Sequence, residues 1–123
     1  MLNFSTFTFS QTIREVYEEC INQNVLAPVI VVSQSIQECG WHYESKNARV
    51  RKNLFGLTKK DGNYYEFNDW RESVVAYRDD VQYKLRRDEG YYDFLNRIGY
   101  ASDPNYEWSV RKIVKKVIKI LEL

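Results

Sequence analysis

Apolar residues recur at helical spacing along most of this chain, and this periodicity constrains the fold more than any other feature of the sequence. The clearest apolar stripe lies in the C-terminal segment and consists of Val110, Ile113, Val114, Val117, Ile118 and Leu121. Side chains spaced by three or four residues share one face of an α-helix, so this segment has one face to bury. Asp103 is a good N-cap and Pro104 is tolerated at a first helical position. We therefore expect an amphipathic C-terminal helix that begins at Pro104.

Similar stripes predict further helices in residues 11–25, 69–87 and 91–98. The first two of these segments begin with pairs of capping-box type, which are Thr12 with Glu15 and Asp69 with Glu72. These start signals, together with Gly99 after the third segment, indicate where the helices begin and end.

The segment Pro28–Cys39 fits two interpretations. Its run of β-branched residues from Val29 favours a strand, whereas its length, the proline at its first position and Gly40 after its end favour a helix. We expect a helix. Gln34 and Glu38 are four residues apart and would then share one polar face, which we expect to face a cleft.

Residues 57–67 predict a short β-hairpin. Asp61-Gly62 is the usual signal for a type I′ turn, and the aromatic residues after it favour extended backbone. This hairpin is the one sheet that we expect. The predicted fold class is therefore mainly α (α+β), a helical bundle with one short β-hairpin lobe. No linker, repeat or low-complexity stretch divides residues 1–123, so we expect a single domain.

Composition excludes several classes of function. The chain is 44% hydrophobic with a formal net charge of +1, which fits neither a disordered chain nor a strongly electrostatic nucleic-acid binder. It contains one His, no Cys-x-x-Cys pair and no phosphate-binding glycine loop, so no metal site, histidine triad or organic cofactor is implied. Cys20 and Cys39 both fall on apolar stripes, and we interpret them as two buried thiols.

The N-terminal residues 1–11 contain neither a basic n-region nor an apolar h-region, so we expect no secretory signal peptide. No segment is apolar over a length that would cross a bilayer, so we expect no membrane insertion. The predicted place of synthesis is the cytoplasm, and any substrate outside it would require another route, such as a holin, a virion, a secretion machine or a parent chain.

Glu38 is the residue whose position most suggests chemistry. It lies in the last turn of an apolar helix, directly before Cys39, Gly40 and Trp41. The C-terminal end of a helix dipole and an aromatic wall both disfavour a carboxylate, so both would raise the pKa of Glu38 toward the range of a general acid. This local pattern also fits an ordinary solvated residue at a helix end, and the pattern alone leaves both interpretations open.

Three segments together resemble the glucosaminidase family, glycoside hydrolase family 73. They run from Gln34 to Trp41, from Asn53 to Leu57 and from Gly99 to Pro104, and their order and spacing are similar to those of the family. The resemblance implies a lysozyme-like fold. It also implies hydrolysis of the β-1,4 bond between N-acetylglucosamine and N-acetylmuramic acid in peptidoglycan, with Glu38 as the general acid. Tyr100 matches the tyrosine of the family's Tyr-Ala-Thr-Asp motif, which implies that it positions the substrate or steadies developing charge.

The sequence departs from the family pattern where a second carboxylate is expected. The segment between Gly56 and Trp70 is short, and its acidic residues are Asp61, Glu66 and Asp69. None of them aligns convincingly with the family's second acidic residue, and Glu66 and Asp61 are the possible second carboxylates. Asp61 also suits the turn itself. Two-carboxylate hydrolysis needs the groups about 5–10 Å apart. Substrate assistance by the 2-acetamido group and a mobile Glu66 therefore both remain open.

Further residues are candidates for substrate binding because flat aromatic faces and nearby polar groups suit sugar rings. The candidate residues are Gln34, Trp41, Asn53, Phe55, Tyr64, Tyr65 and Tyr106. Of these, Asn53 and Phe55 are expected to shape the floor of the cleft.

The leading hypothesis is therefore an endo-β-N-acetylglucosaminidase that cuts peptidoglycan glycan strands, such as a phage lysin or a virion-associated enzyme. A muramidase or lytic transglycosylase of lysozyme-like fold is the first alternative, because such folds share a single essential Glu. An inactive cell-wall-binding or virion structural domain is the second alternative. The expected partners are peptidoglycan strands, with virion or secretion components as the route to the wall.

Overall fold

The computed structural model describes residues 11–123, and these residues are mainly helical. Their helices, in chain order, are α1 Ile13–Asn22, α2 Pro28–Cys39, α3 Lys46–Arg49, α4 Trp70–Asp80, α5 Tyr91–Arg97 and α6 Tyr106–Leu121, with a 3₁₀ turn at Gln82–Lys84. The mainly α architecture predicted from periodicity is confirmed. The expectation of no signal peptide falls on residues that, apart from Gln11, lie outside the described part of the chain.

Helix α2 lies at the centre of the core. It packs most extensively against α6 and also against α1, and its Val31, Val32 and Ile36 side chains are almost wholly buried. The helical interpretation of this β-branched segment is confirmed. The physical reason is that burial on several faces of the helix compensates for the lower helix propensity of these residues. Gly40 ends the helix with φ of 90°, a conformation that glycine adopts most readily.

The predicted capping boxes both form, at Thr12 with Glu15 and at Asp69 with Glu72. Helix α4 is shorter than predicted, because regular helix ends at Asp80 and the chain continues as the 3₁₀ turn Gln82–Lys84. The Gln82 side chain bonds both main-chain groups of Leu26, which ties this turn to the α1–α2 connection.

Helix α6 begins at Tyr106, so the predicted start at Pro104 is wrong. The Asp103 carboxylate accepts a hydrogen bond from the Asn105 main-chain N–H at 2.8 Å, and the Asp103 carbonyl accepts one from Tyr106. These bonds hold residues 103–106 in a turn, which is the common alternative use of an Asp side chain near a helix start.

The predicted hairpin is reduced to a chain reversal. Residues 11–123 contain no β-sheet, and this segment shows one isolated antiparallel bridge between Thr58 and Tyr64. Lys59 and Asn63 pair across a three-residue loop in which Gly62 alone has positive φ. A type I′ turn would need positive φ at Asp61 as well, so the predicted turn type is wrong.

Two further features complete the fold. Cys20 and Cys39 are buried free thiols, as predicted, and burial raises their pKa values to about 12 and about 11. Within residues 11–123, no helix has both the length and the apolar character needed to cross a membrane.

Candidate active site

A cavity of about 890 Å³ lies where the C-terminal turn of α2 meets two connecting segments and the end of α4. Four parts of the chain line it: the end of α2, the connection between α3 and α4, the end of α4 with the turn after it, and the segment that leads into α6. The lining residues are Gln37 and Glu38; Phe55 to Thr58 with Lys60, Tyr64 and Tyr65; Asp80, Val81 and Lys84; and Ile98, Tyr100 to Asp103 and Tyr106. A volume of this size is within the range of ligand-binding pockets. The cavity therefore combines one carboxylate from the central helix with aromatic and polar groups from three other parts of the chain.

Glu38 lies on the wall of this cavity. Its side chain is accessible to solvent because it faces the open space, while the surrounding protein removes part of the water that would stabilise its charge. This desolvation raises the pKa of Glu38 above its ordinary value. A raised pKa keeps a larger fraction of the carboxyl protonated near neutral pH, as a general acid requires.

The Glu38 carboxylate lies against the backbone of Gly56. A Cβ atom built on Gly56 would be 3.1 Å from Glu38 Oε2 and 3.9 Å from Asn47 Nδ2, and the glycine has φ of 62°. A glycine at this position therefore serves both the left-handed backbone and the close approach of the carboxylate.

Asn53 holds the connection that contains Gly56 and is not among the residues that line the cavity. The side chain is fully buried, donates from Nδ2 to the carbonyls of Leu57 at 2.9 Å and Tyr65 at 3.1 Å, and accepts from the Leu57 N–H at 3.0 Å. Asn53 thus joins the two arms of the chain reversal, and its expected role in shaping the cleft floor remains a prediction. Phe55 is almost fully buried, and its ring packs 4.6 Å from that of Tyr77.

Tyr100 and Tyr106 form an aromatic wall near Glu38. Their ring centroids are 5.8 Å apart, and both line the cavity. The Tyr100 hydroxyl donates to the Phe55 carbonyl at 3.2 Å. Burial is the main cause that raises the pKa values of both phenols, and the nearby Glu38 charge raises them further, so both hydroxyls are protonated at neutral pH.

Gln34 does not line the cavity. It is fully buried behind Tyr106, with Nε2 donating to the Tyr106 hydroxyl at 3.2 Å and Oε1 accepting from Tyr77. The predicted polar face of α2 is therefore divided, with Glu38 at the cavity and Gln34 one turn earlier in the protein interior. A role for Gln34 in substrate binding would have to act through Tyr106.

The predicted second carboxylates lie away from the cavity lining. Asp61 and Glu66 are exposed, and the Asp61 side chain accepts a hydrogen bond from the Asn63 N–H at 2.9 Å within its turn, which lowers the pKa of Asp61. Among the described residues, the carboxylates that accompany Glu38 in the lining are Asp80 and Asp103.

Of the remaining predicted aromatic residues, two line the cavity and one does not. Tyr64 and Tyr65 line the cavity, and the Arg51 guanidinium lies 5.1 Å from the centre of the Tyr64 ring. Trp41 is partly buried against the core instead, with the Lys116 ammonium 5.5 Å from its ring, and it is not among the lining residues.

Sequence reasoning missed Gln37, Asp80, Lys60 and Lys84 as lining residues. No local signal singled out Asp80, because its place in the cavity depends on where the end of α4 lies relative to α2. The two lysines carry no local signal either, since exposed lysines on helices and turns are ordinary.

A sequence model of the glucosaminidase family, described as mannosyl-glycoprotein endo-beta-N-acetylglucosaminidase, matches residues 14–119 of this chain. The chain belongs to the glucosaminidase family. The match covers most of the sequence and includes every segment that lines the cavity. No curated protein and no solved structure matches the chain.

Membership of the glucosaminidase family indicates a glycoside hydrolase, and peptidoglycan suits such a domain as substrate. A carboxyl with a raised pKa on an aromatic-lined cavity is chemically consistent with that class, because glycoside hydrolysis requires a proton donor beside a bound sugar.

Proposed function

We propose that this member of the glucosaminidase family hydrolyses the β-1,4 bond between N-acetylglucosamine and N-acetylmuramic acid in peptidoglycan. The observation that carries the proposal is the placement of Glu38, whose pKa is raised by desolvation, on the wall of a cavity of about 890 Å³. The proposal includes that the enzyme acts on the cell wall and that it reaches the wall through a virion or another export system.

In the proposed reaction, Glu38 donates its proton to the glycosidic oxygen as the bond to the anomeric carbon breaks. The leaving sugar departs as an alcohol and Glu38 becomes a carboxylate. The aromatic residues Tyr64, Tyr65, Tyr100 and Tyr106 provide flat faces against which the glycan strand packs. Tyr100 is proposed to position the sugar next to Glu38.

The group that assists attack at the anomeric carbon has two candidates. One is the 2-acetamido oxygen of the substrate, which would bond to the anomeric carbon as the leaving sugar departs. Water would then attack this carbon, the bond to the acetamido oxygen would break, and the Glu38 carboxylate would take the proton of the water. The other is Asp80, which shares the cavity with Glu38 and would accept a proton from the attacking water. Glu66 would have to move from its exposed position to take this role.

The test is digestion of purified peptidoglycan by the wild-type chain, Glu38→Gln and Glu18→Gln, with the products reduced and identified by mass spectrometry. Glu18 is an exposed glutamate on α1, away from the cavity, so its substitution removes the same charge as a matched control. We expect products that end in reduced N-acetylglucosamine from the wild type and from Glu18→Gln. We expect them to be lost in Glu38→Gln, which retains the shape of the side chain without its proton.

The other outcomes point elsewhere. Products that end in reduced muramic acid or in anhydro-muramic acid would identify a muramidase or a lytic transglycosylase. Binding of peptidoglycan by the folded wild-type chain without any product would indicate an inactive wall-binding domain.

A further inference from the structure

A chain of partly or fully buried hydrogen bonds connects the main chain of Leu26 with the hydroxyl group of Tyr106, a residue that lines the cavity. From Leu26 outward, the connected side chains are Gln82, Tyr91, Tyr77, Gln34 and Tyr106. Because each hydrogen bond has a donor and an acceptor, such a chain has a direction. The direction decides whether the Tyr106 hydroxyl offers a proton or a lone pair to the cavity.

The direction begins at Gln82, where main-chain atoms leave no choice. The Leu26 N–H donates to Gln82 Oε1 at 2.9 Å, and the Leu26 carbonyl accepts from Gln82 Nε2 at 2.8 Å. A peptide N–H is always a donor and a peptide carbonyl always an acceptor, so the Gln82 amide has one possible orientation. Its Nε2 is therefore the atom that donates to the Tyr91 oxygen, at 2.9 Å.

The next two steps follow from counting protons. Tyr91 already accepts from Gln82, and its hydroxyl lies 2.6 Å from that of Tyr77. If Tyr77 donated to Tyr91, its single proton could not also bond Gln34 Oε1, and the proton of the partly buried Tyr91 hydroxyl would have no acceptor among the described residues. Tyr91 therefore donates to Tyr77, and Tyr77 donates to Gln34 Oε1.

The last step determines the state of Tyr106. With Oε1 of Gln34 occupied by Tyr77, Nε2 faces Tyr106 and donates to the Tyr106 oxygen at 3.2 Å. Among the described residues, the Tyr106 hydroxyl has no other hydrogen bond, so its own proton remains available to a ligand. Tyr100 differs, because its hydroxyl donates to the Phe55 carbonyl at 3.2 Å.

We propose that Tyr106 is a hydrogen-bond donor of fixed polarity to the glycan, and that it binds an acceptor oxygen of the sugar beside Glu38. This inference rests on the proposed function for the identity of the ligand, whereas the polarity rests on the hydrogen bonds alone. Gln34 precedes Glu38 by four residues, about one helical turn, so the hydroxyl bonded to Gln34 lies close to the acid along α2. A sugar hydroxyl or acetamido carbonyl is the matching acceptor, and a group that can only donate is disfavoured there.

The first test measures affinity without catalysis. In a Glu38→Gln background, the dissociation constant for soluble glycan-strand fragments of peptidoglycan is measured by titration calorimetry. We expect Tyr106→Phe to weaken binding about tenfold, as expected for loss of one hydrogen bond. Tyr77→Phe frees the Gln34 amide to turn, and we expect it to weaken binding less, by about twofold to threefold.

Tyr43→Phe is the matched control. Tyr43 is a buried phenol that bonds Ser35 on α2 at 2.8 Å, lies outside the cavity and has no bond to Gln34, so its removal should leave the dissociation constant unchanged. Binding by Tyr106→Phe that equals binding by the background protein would overturn the inference.

The second test reads the polarity directly, by neutron diffraction from a deuterium-exchanged crystal. We expect the Tyr77 deuteron on the Gln34 side and the Tyr106 deuteron on the side away from Gln34. A Tyr106 deuteron directed at Gln34 would overturn the inference whatever the activity. Expected deuteron positions without any glycan binding by the background protein would instead overturn the proposed function and, with it, the glycan as acceptor.

Discussion

Replacement of Gly56 by alanine separates backbone strain from displacement of the proposed acid. Gly56 has φ of 62°, and an alanine in the left-handed region costs roughly 1–2 kcal/mol. Alanine also restricts the unfolded chain, which returns about 0.4–1 kcal/mol. The expected net loss in the free energy of unfolding is about 1 kcal/mol, and for a chain of this length the melting temperature should fall by about 3–6 °C.

The new methyl group would also press on the Glu38 carboxylate. At 3.1 Å from Oε2, the added Cβ forces its neighbour to shift by a few tenths of an ångström. A displacement of 1 Å at a reacting group can cost about a hundredfold in rate, so a shift of this size should lower peptidoglycan hydrolysis by about threefold to tenfold.

Gly99→Ala is the matched control for this substitution. Gly99 has φ of 63°, almost the same backbone strain, but a Cβ atom added there would meet no heavy atom within 4 Å. Both variants should therefore lose similar stability in urea unfolding, while Gly56→Ala alone loses activity in a reducing-end assay run at a temperature where both variants are folded. Equal activity of the two folded variants would refute the assignment of the Glu38 carboxyl as a precisely positioned acid.

Three further predictions concern the carboxylates and the cleft floor. If Asp80 assists the attacking water, Asp80→Asn should lower peptidoglycan hydrolysis by at least about tenfold, whereas the neighbouring Asp79→Asn should not; equal rates would favour assistance by the substrate's acetamido group. Because the pKa of Glu38 is higher in the folded state than in the unfolded state, proton binding favours folding. The contribution of Glu38 to the free energy of unfolding is therefore fully present below its unfolded pKa and is lost as the pH rises through its folded pKa. Glu38→Gln should therefore unfold at higher urea than wild type at neutral pH, with the difference vanishing in acid, and a difference that grows in acid would contradict the raised pKa. Asn53→Leu removes the side-chain partner of the Leu57 N–H and of the Tyr65 carbonyl, whereas the Leu57 carbonyl keeps its hydrogen bond from the Tyr65 N–H. It should lower the free energy of unfolding by about 2 kcal/mol in urea titration, and a loss below about 0.5 kcal/mol would show that the connection is held by other contacts.

Helix prediction succeeded where local signals were strong and burial agreed with them. The α2 segment kept its predicted bounds, Pro28–Cys39, because proline at the start and glycine after the end both favour those limits. The failures lie where side chains bond the main chain of distant or adjacent segments. Regular helix ends at Asp80, and Gln82 in the turn that follows bonds Leu26, which is 56 residues away in sequence. The Asp103 carboxylate forms a turn instead of a helix cap.

The candidate site likewise combines features that the sequence indicated with features that depend on tertiary packing. The sequence indicated Glu38 through its place in the last turn of an apolar helix, and it indicated the family through three short segments. It could not indicate that Asp80 shares the cavity, or that the exposed Glu66 does not, because those facts depend on how α4 and the chain reversal pack against α2.

The sequence by itself determined the helical periodicity, the capping boxes of α1 and α4, the family and the position of one acidic residue at the end of the central helix. These properties depend on residues that are close together along the chain, where propensity, capping and spacing act. The tertiary structure alone decided which phenols and carboxylates surround Glu38 and that Gln34 is buried behind Tyr106. It also decided the direction of the hydrogen bonds that connect Leu26 with Tyr106. Those properties depend on donors and acceptors brought together from segments distant in sequence, and the directed chain from Leu26 to Tyr106 exists only after the helices have packed.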